Sequence, residues 1–359
     1  MNRLVLAPGA CRLIPHSMTR LPAPADAMTR LRATPVAVAL IALLSAACET
    51  RELPPASVAG GAAAAPAEGT PAAAFVEAAW KPPTEAEIPN DSLGASIRRG
   101  LALLRFTPES LPQYAQSGLR CTSCHQNDGL KATAAPLTGS HARYPKYMPR
   151  AGAVVAMTDR INYCFTRSMA GRALPTDSRE MEDLLAYMAW LSKGVPVGTN
   201  IAGAAGLIAM KDTLVGDSAR GEAVFTRSCA VCHQADGSGN GPIPPLWGAK
   251  SYSIGASMSR EERAASFIWH NMPQNNPGTL TPQEAFDVAA FVNSHPRPDS
   301  PGKEGDWPTG GAPKDVPYPT KGHTPTRTPA RLLPRKPDGT IVPAPAPVGR
   351  GATPSAGYN

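Results

Sequence analysis

The sequence predicts an all-α protein made of two related halves. Three observations lead there. A nine-residue motif occurs twice, "CTSCHQNDG" from Cys121 and "CAVCHQADG" from Cys229, 108 positions apart. Each half opens and closes on a helical pattern, and no run of alternating apolar and polar residues reads as a strand.

The chain is 359 residues long, with 40 prolines, 32 glycines and only 6% aromatics, so much of it reads as linker and tail and the globular part is smaller than the length implies. Residues 1–48 read as an export signal. Arg30 and Arg32 precede the apolar run "VAVALIALL" (36–44), and the small residues "SAAC" end at Cys48. Residues 1–27 fit no part of such a signal, which points to Met18 or Met28 as the start. Cys48 fits either a lipid anchor or a cleaved signal, and both place the mature protein in the periplasm. Nothing later is apolar for long enough to cross a bilayer. Residues 49–80, rich in Ala, Pro and Gly, are expected to be a flexible tether.

The first half is assigned to 81–194 and the second to 217–298, with 195–216 as linker. The halves match beyond the nine-residue motif. "PLTG" (136–139) answers "PLWG" (245–248), "DLLAYM" (183–188) answers "DVAAFV" (287–292), and "RGLALL" (99–104) answers "RGEAVF" (220–225), so the halves read as a duplication with small insertions. Their closing helices carry start signals. Thr281 is an expected N-cap with Pro282 at the first helical position and Glu284 completing a capping box, and Ser178 caps the equivalent helix, with Gly194 as its stop. Residues 299–359 are expected to form a disordered or surface-draped Pro/Gly-rich tail.

The formal charge of +7 suits anionic substrates or acidic partners. No basic run with interleaved aromatics appears, which excludes nucleic acid as the expected partner.

Cys121-Thr-Ser-Cys124-His125 and Cys229-Ala-Val-Cys232-His233 are both C-x-x-C-H, the pattern that attaches haem c through two thioethers and offers the adjacent histidine to the iron. A zinc site would need further Cys or His pairs, and a thioredoxin-like motif a βαβ setting. Two copies in an exported helical repeat favour two covalently bound haem c groups, in two tandem cytochrome c-like domains. Each haem then needs a ligand on its far side. Met272 lies 39 residues beyond His233 and is the expected thioether ligand, with Met258 as competitor and His270 as a surface or pocket residue. The same count from His125 arrives at Cys164, in "RINYCFTRS". A small buried hydrophobe is the alternative role for Cys164. The register, and the absence of a disulfide partner in an oxidising compartment, favour iron ligation.

Thiolate ligation favours ferric iron and methionine raises the potential, so electrons entering at the first haem would run downhill to the second. Arg150, Arg160 and Arg167 would lower the thiol pKa and hold a sulfonate or thiosulfate oxyanion. Pro136 and Pro245 are expected either to support the haem histidines through carbonyls or only to form turns.

From about residue 90 to 320 the chain resembles the dihaem thiosulfate dehydrogenases, on both haem motifs, the segment "DRINYCFTRSMAGRALP" and the late "DVAAFV" helix, in order. The resemblance implies reversible coupling of two thiosulfates to tetrathionate, with electrons passed to a small c-type cytochrome or similar acceptor. It implies Cys164 as iron ligand and catalytic thiol, with Arg150, Arg160 and Ser168 in the pocket. Some relatives carry a ligating lysine just before the methionine, and here that residue is Asn271, which puts a ligand switch in doubt. Two other readings stand beside this one: a non-catalytic dihaem electron carrier, and a relative of the cytochromes that conjugate thiosulfate to a carrier protein.

Overall fold

Each half is organised by two helices crossing at a glycine. In the computed structural model, which describes residues 80–199, 201, 206–327, 332–334 and 341, the helices in chain order are α1 (Ser92–Arg105), α2 (Thr107–Ser110), α3 (Met157–Tyr163), α4 (Arg179–Trp190), α5 (Ser218–Ser228), α6 (Ala230–His233), α7 (Glu261–Asn271) and α8 (Pro282–Asn293). The expected signal and lipidation site within 1–48, and the tether as far as residue 79, lie outside the described residues. No helix among the described residues is long and apolar enough to cross a membrane.

In the first half α1 crosses α4. A Cβ on Gly100 would stand 2.0 Å from the Asp183 carbonyl oxygen, so only glycine permits the approach. Arg99, one residue earlier, closes a bidentate pair on the buried Asp183 carboxylate at 2.8 and 2.7 Å, and Ser96 donates to the same group. The second half repeats the device where α5 crosses α8. Gly221 would meet the Asp287 carbonyl oxygen at 2.0 Å, and Arg220 pairs with Asp287 at 2.8 Å through both Nε and Nη2. The expected caps are present: the Ser178 hydroxyl accepts from Met181 N, and Thr281 and Glu284 form a full capping box with Pro282 opening α8. Gly194 adopts φ +80° shortly beyond the end of α4.

One apolar core runs through both halves, taking in Leu104, Leu184 and Tyr187 from the first and Phe225, Val288 and Val292 from the second. Backbone bonds cross between them, from Gly118 N to Lys250 O (2.7 Å) and from Ser253 N to Ser168 O (3.1 Å). Two small sheets supplement the helices. Strands β1 (Lys146–Met148) and β2 (Ala153–Val155) form an antiparallel hairpin, and β3 (Arg297–Pro298) pairs in parallel with β4 (Leu332–Leu333). Strands of two or three residues are too short to leave an alternating signal in the sequence.

The segment after residue 298 departs from expectation. Trp307, Val316 and Tyr318 are buried with Ile254 in a core cluster of their own, so residues 299–327 are folded into the body and are neither loose nor merely draped on it. The anchor is Asp306, 2% exposed. Its carboxylate accepts from Arg150 (2.9 and 2.8 Å), from Arg167 (2.6 Å) and from the Tyr318 hydroxyl (2.8 Å). Trp307 N donates to the Arg150 carbonyl, and the Arg150 guanidinium lies 5.0 Å from the Trp307 ring centre. The remainder of the expected tail, residues 328–331, 335–340 and 342–359, lies outside the described residues.

Two predictions follow from these ion pairs. Removing the shared carboxylate in Asp306→Ala leaves two largely buried guanidinium groups without a counter-charge, and should cost about 3 kcal/mol of stability in thermal or denaturant unfolding. For Asp183 and Asp287, burial pushes each carboxyl up, but Arg99 and Arg220 outweigh it and hold both below the ordinary value. Their contribution is therefore complete above about pH 4 and is lost as the pH falls through the lowered values. The melting temperature should drop on acidification below about pH 4, and Asp287→Asn should flatten that fall.

Candidate haem and thiolate site

The first C-x-x-C-H motif forms a short 3-10 turn, Cys121–Ser123, that leads directly into Cys124 and His125. Thr107 secures it, accepting from Cys121 N at 3.1 Å. The His125 imidazole is oriented from behind, its Nδ1 2.5 Å from the Ala135 carbonyl oxygen. In the second motif His233 Nδ1 lies 3.0 Å from the Pro244 carbonyl oxygen. An imidazole that donates from Nδ1 presents its Nε2 lone pair to a metal. The carbonyls come from the residues just before Pro136 and Pro245, one position earlier than expected. Those Xaa-Pro peptides lack an N–H, which leaves the carbonyl as their one hydrogen-bonding group.

Cys164 begins a π-helical turn, Cys164–Ser168, that continues α3. Such turns re-aim side chains out of the α-helical register. The thiol lies beside His125, and Arg160 Nη1 lies 3.0 Å from its sulfur. Burial pushes the Cys164 thiol up, and Arg160 and His125 outweigh that effect and bring it down to about 6. The same burial, with no cation beside them, pushes Cys121 and Cys124 up to about 12. Cys164 is therefore a thiolate at neutral pH in an enclosed setting, the state needed of a metal ligand or a sulfur nucleophile.

The three arginines expected around this thiol have separate destinations. Arg160 reaches it. Arg150 and Arg167 turn to Asp306, Arg150 also donating to Gly255 O and the Tyr318 hydroxyl, and Arg167 lying 4.1 Å from the Tyr163 ring centre. The expected lowering of the Cys164 pKa by all three is thus corrected to Arg160 and His125. Ser168 joins the structure through its carbonyl, which accepts from Ser253 N. Asp306 and Tyr318 were invisible to the sequence reading because they come from a segment expected to be tail.

The second motif opens onto a cavity of about 660 Å³, within the range of a cofactor pocket. Cys229, Cys232 and His233 line one side and Met258 and Met272 also contribute, among apolar groups such as Phe225, Phe267 and Ile268. Asn271, fully buried, bonds to Thr133 and to Phe267 O and fixes the chain immediately before Met272. Leu119 and Cys124 line this cavity too, so the attachment loop of the first site borders the second. His270 is half-buried at the end of α7, and its Nε2 has no partner among the described residues. A paired-thiol loop, an oriented imidazole and a sulfur donor in reach fit haem at both motifs. Among the described residues no group of three or more His, Cys, Asp or Glu side chains could hold a bare metal ion, so the zinc alternative finds no ligand set.

Residues 113–197 match the family model described as SoxA/TsdA, cytochrome c domain, and residues 218–296 match cytochrome c. The chain is 43% identical over 226 residues to a thiosulfate dehydrogenase of Allochromatium vinosum, covering 60% of this chain and 83% of that protein. It is 41% identical over 242 residues to one of Psychrobacter arcticus, covering 66% and 74%. Among solved structures, thiosulfate dehydrogenase (TsdBA) from Marichromatium purpuratum superposes with a TM-score of 0.58 at 34% identity, covering 62% of this chain and 50% of that longer one. With its two cytochrome c domains and this extent of identity, the chain belongs to the thiosulfate dehydrogenase family.

Proposed function

We propose that the protein oxidises thiosulfate at Cys164, coupling two molecules to tetrathionate, and passes the electrons through a second haem to a small c-type cytochrome or similar acceptor. The observation that carries this reading is the enclosed Arg160–Cys164 pair facing His125. A half-buried thiolate stabilised by one guanidinium is a nucleophile beside a cation that attracts an anionic substrate.

In this reading domain 81–194 is catalytic: Cys121 and Cys124 would attach a haem, and His125 and Cys164 would hold its iron. Domain 217–298 transfers electrons, with haem attached at Cys229 and Cys232 and held by His233 and Met272. The repeated Gly–Asp–Arg crossing and the matching histidine–carbonyl bonds support an origin by duplication. When bound, a thiolate-ligated and a thioether-ligated haem take up one electron each, with a downhill path from the first to the second.

The chain's own part is sulfur chemistry. The Cys164 thiolate joins the sulfane sulfur of one thiosulfate, forming an S–S bond as two electrons are withdrawn. A second thiosulfate then attacks that sulfane sulfur, releasing tetrathionate and regenerating the thiolate, by the logic of thiol–disulfide exchange. Charge balances at each step: three negative charges become one as two electrons leave, and the second step conserves them. Read in reverse, the same steps reduce tetrathionate. Arg160 stabilises the thiolate as entering and as leaving group, and Arg150 and Ser168 are proposed to complete the pocket. Export to the periplasm agrees with haem c attachment and with a soluble acceptor.

Thiosulfate alone should reduce the haems of the loaded protein and drive dye reduction, and Cys164→Gly should abolish both while its haems stay attached. Normal activity in that variant would sink the mechanism. A pyridine haemochrome assay should find two haems per chain, falling to one when Cys229 and Cys232 are both changed to Ala; a single haem in the unaltered chain would refute the dihaem reading.

A further inference from the structure

The cations around Cys164 fall into two sets. Arg150 and Arg167 share the Asp306 carboxylate, which offsets their charge. Arg143, Lys146 and Arg160 have no carboxylate within ion-pair distance among the described residues, and they stand close together. Arg143 ends the 3-10 turn His141–Arg143, Lys146 opens β1 three residues later, and Arg160 rises from the last turn of α3 to the thiol. The Arg143 Nε is buried and has no hydrogen-bond partner among the described residues. Lys146 Nζ lies 5.3 Å from the Tyr144 ring centre. Crowding shows in the charges: Lys146 is pushed below its usual value by burial and then by Arg143 and Arg160. Gathering like charges around a buried, unpartnered donor is unfavourable unless an anion offsets it.

We infer that Arg143 and Lys146, together with Arg160, form an anion subsite beside Cys164 that holds the sulfonate end of a thiosulfate dianion.

The inference rests on the proposed reaction and deepens it. Coupling brings two dianions to one sulfur, and in a low-dielectric pocket their repulsion is severe. Arg160 already faces the thiolate, and Asp306 offsets only one of the two charges on Arg150 and Arg167 while tying both groups to itself, so the second dianion calls for further cations, which Arg143 and Lys146 supply. The Arg143 fork suits a sulfonate, since guanidinium groups present paired N–H donors to planar or tetrahedral oxyanions, with Lys146 acting as a point charge beside it. The other anion with the same chemistry is a haem carboxylate, and the two sources give different experimental signatures.

The test is calorimetric titration of thiosulfate into haem-loaded Cys164→Ala, which cannot turn over, alone and with Arg143→Gln or Lys146→Gln added. Each added change should weaken binding at least about tenfold, with loss of a charge-assisted hydrogen bond or contact, while haem absorption and midpoint potentials stay in place. Unchanged affinity, or no measurable binding to Cys164→Ala itself, overturns the subsite. So does a shifted potential of the first haem with binding unmoved, which assigns Arg143 to a haem carboxylate. If wild-type protein is not reduced by thiosulfate yet binding still weakens in these variants, the subsite stands and the enzymatic reading falls. Turnover with unaltered binding gives the converse.

Discussion

The glycine-seated helix crossing is the constraint on which the rest of each half depends. At Gly100 and at Gly221 one helix rests directly on a backbone carbonyl of the other, and the neighbouring arginine closes on the aspartate that owns it. Packing so close leaves no room for sliding, and the buried carboxylate defines the rotation. In the second half the crossing helices α5 and α8 contribute Phe225, Val288 and Val292 to the cavity wall, so the crossing sets where the C-x-x-C-H loop stands relative to Met272. Its repetition gives both loops the same kind of support.

On that shared frame the two sites differ in charge. The first has a thiolate, a guanidinium at 3.0 Å and further cations nearby. Desolvation alone makes such a thiol a poor acid, as at Cys121 and Cys124, and at Cys164 Arg160 and His125 outweigh it and bring the thiol down to about 6. The segment after residue 298 is part of this arrangement. Asp306 offsets part of the charge of Arg150 and Arg167 and draws both away from the thiol, and it ties the π-helical turn bearing Arg167 to the loop bearing Arg150.

Much of this was legible in the sequence because it is local or repeated. The C-x-x-C-H motifs are contiguous, the caps at Ser178 and Thr281 act within three residues, and the 39-residue count transfers position from one half to the other without knowledge of the path between. The structure brings Cys164 beside His125, and it lines the cavity of His233 with Met272 and with its competitor Met258 alike. What escaped is long-range and unrepeated. Asp306 lies 139 residues from Arg167 in a stretch whose composition signals disorder, and no periodicity betrays that Trp307, Val316 and Tyr318 are buried. Three buried side chains supported by ion pairs are enough to order a Pro/Gly-rich segment, since proline lowers the entropy lost on ordering. The mutual orientation of Arg143, Lys146 and Arg160 depends on a hairpin too short to announce itself.

The contrast between the sites also bears on how sulfur chemistry and electron transfer are kept apart. The second cavity is lined by apolar and neutral groups, with His233 its one readily titratable side chain apart from the thiols, so a dianion entering it would lose hydration and gain no counter-charge. On the proposed function, thiosulfate would stay at the cationic first site. Electrons need no such solvation of a carrier, and Leu119 and Cys124 bring the first attachment loop to the wall of the second cavity. A substrate-excluding wall that is also the border between the two sites lets charge leave in the one direction the substrate cannot follow. On the proposed function, this is a physical reason to keep two cytochrome c domains in one continuous core.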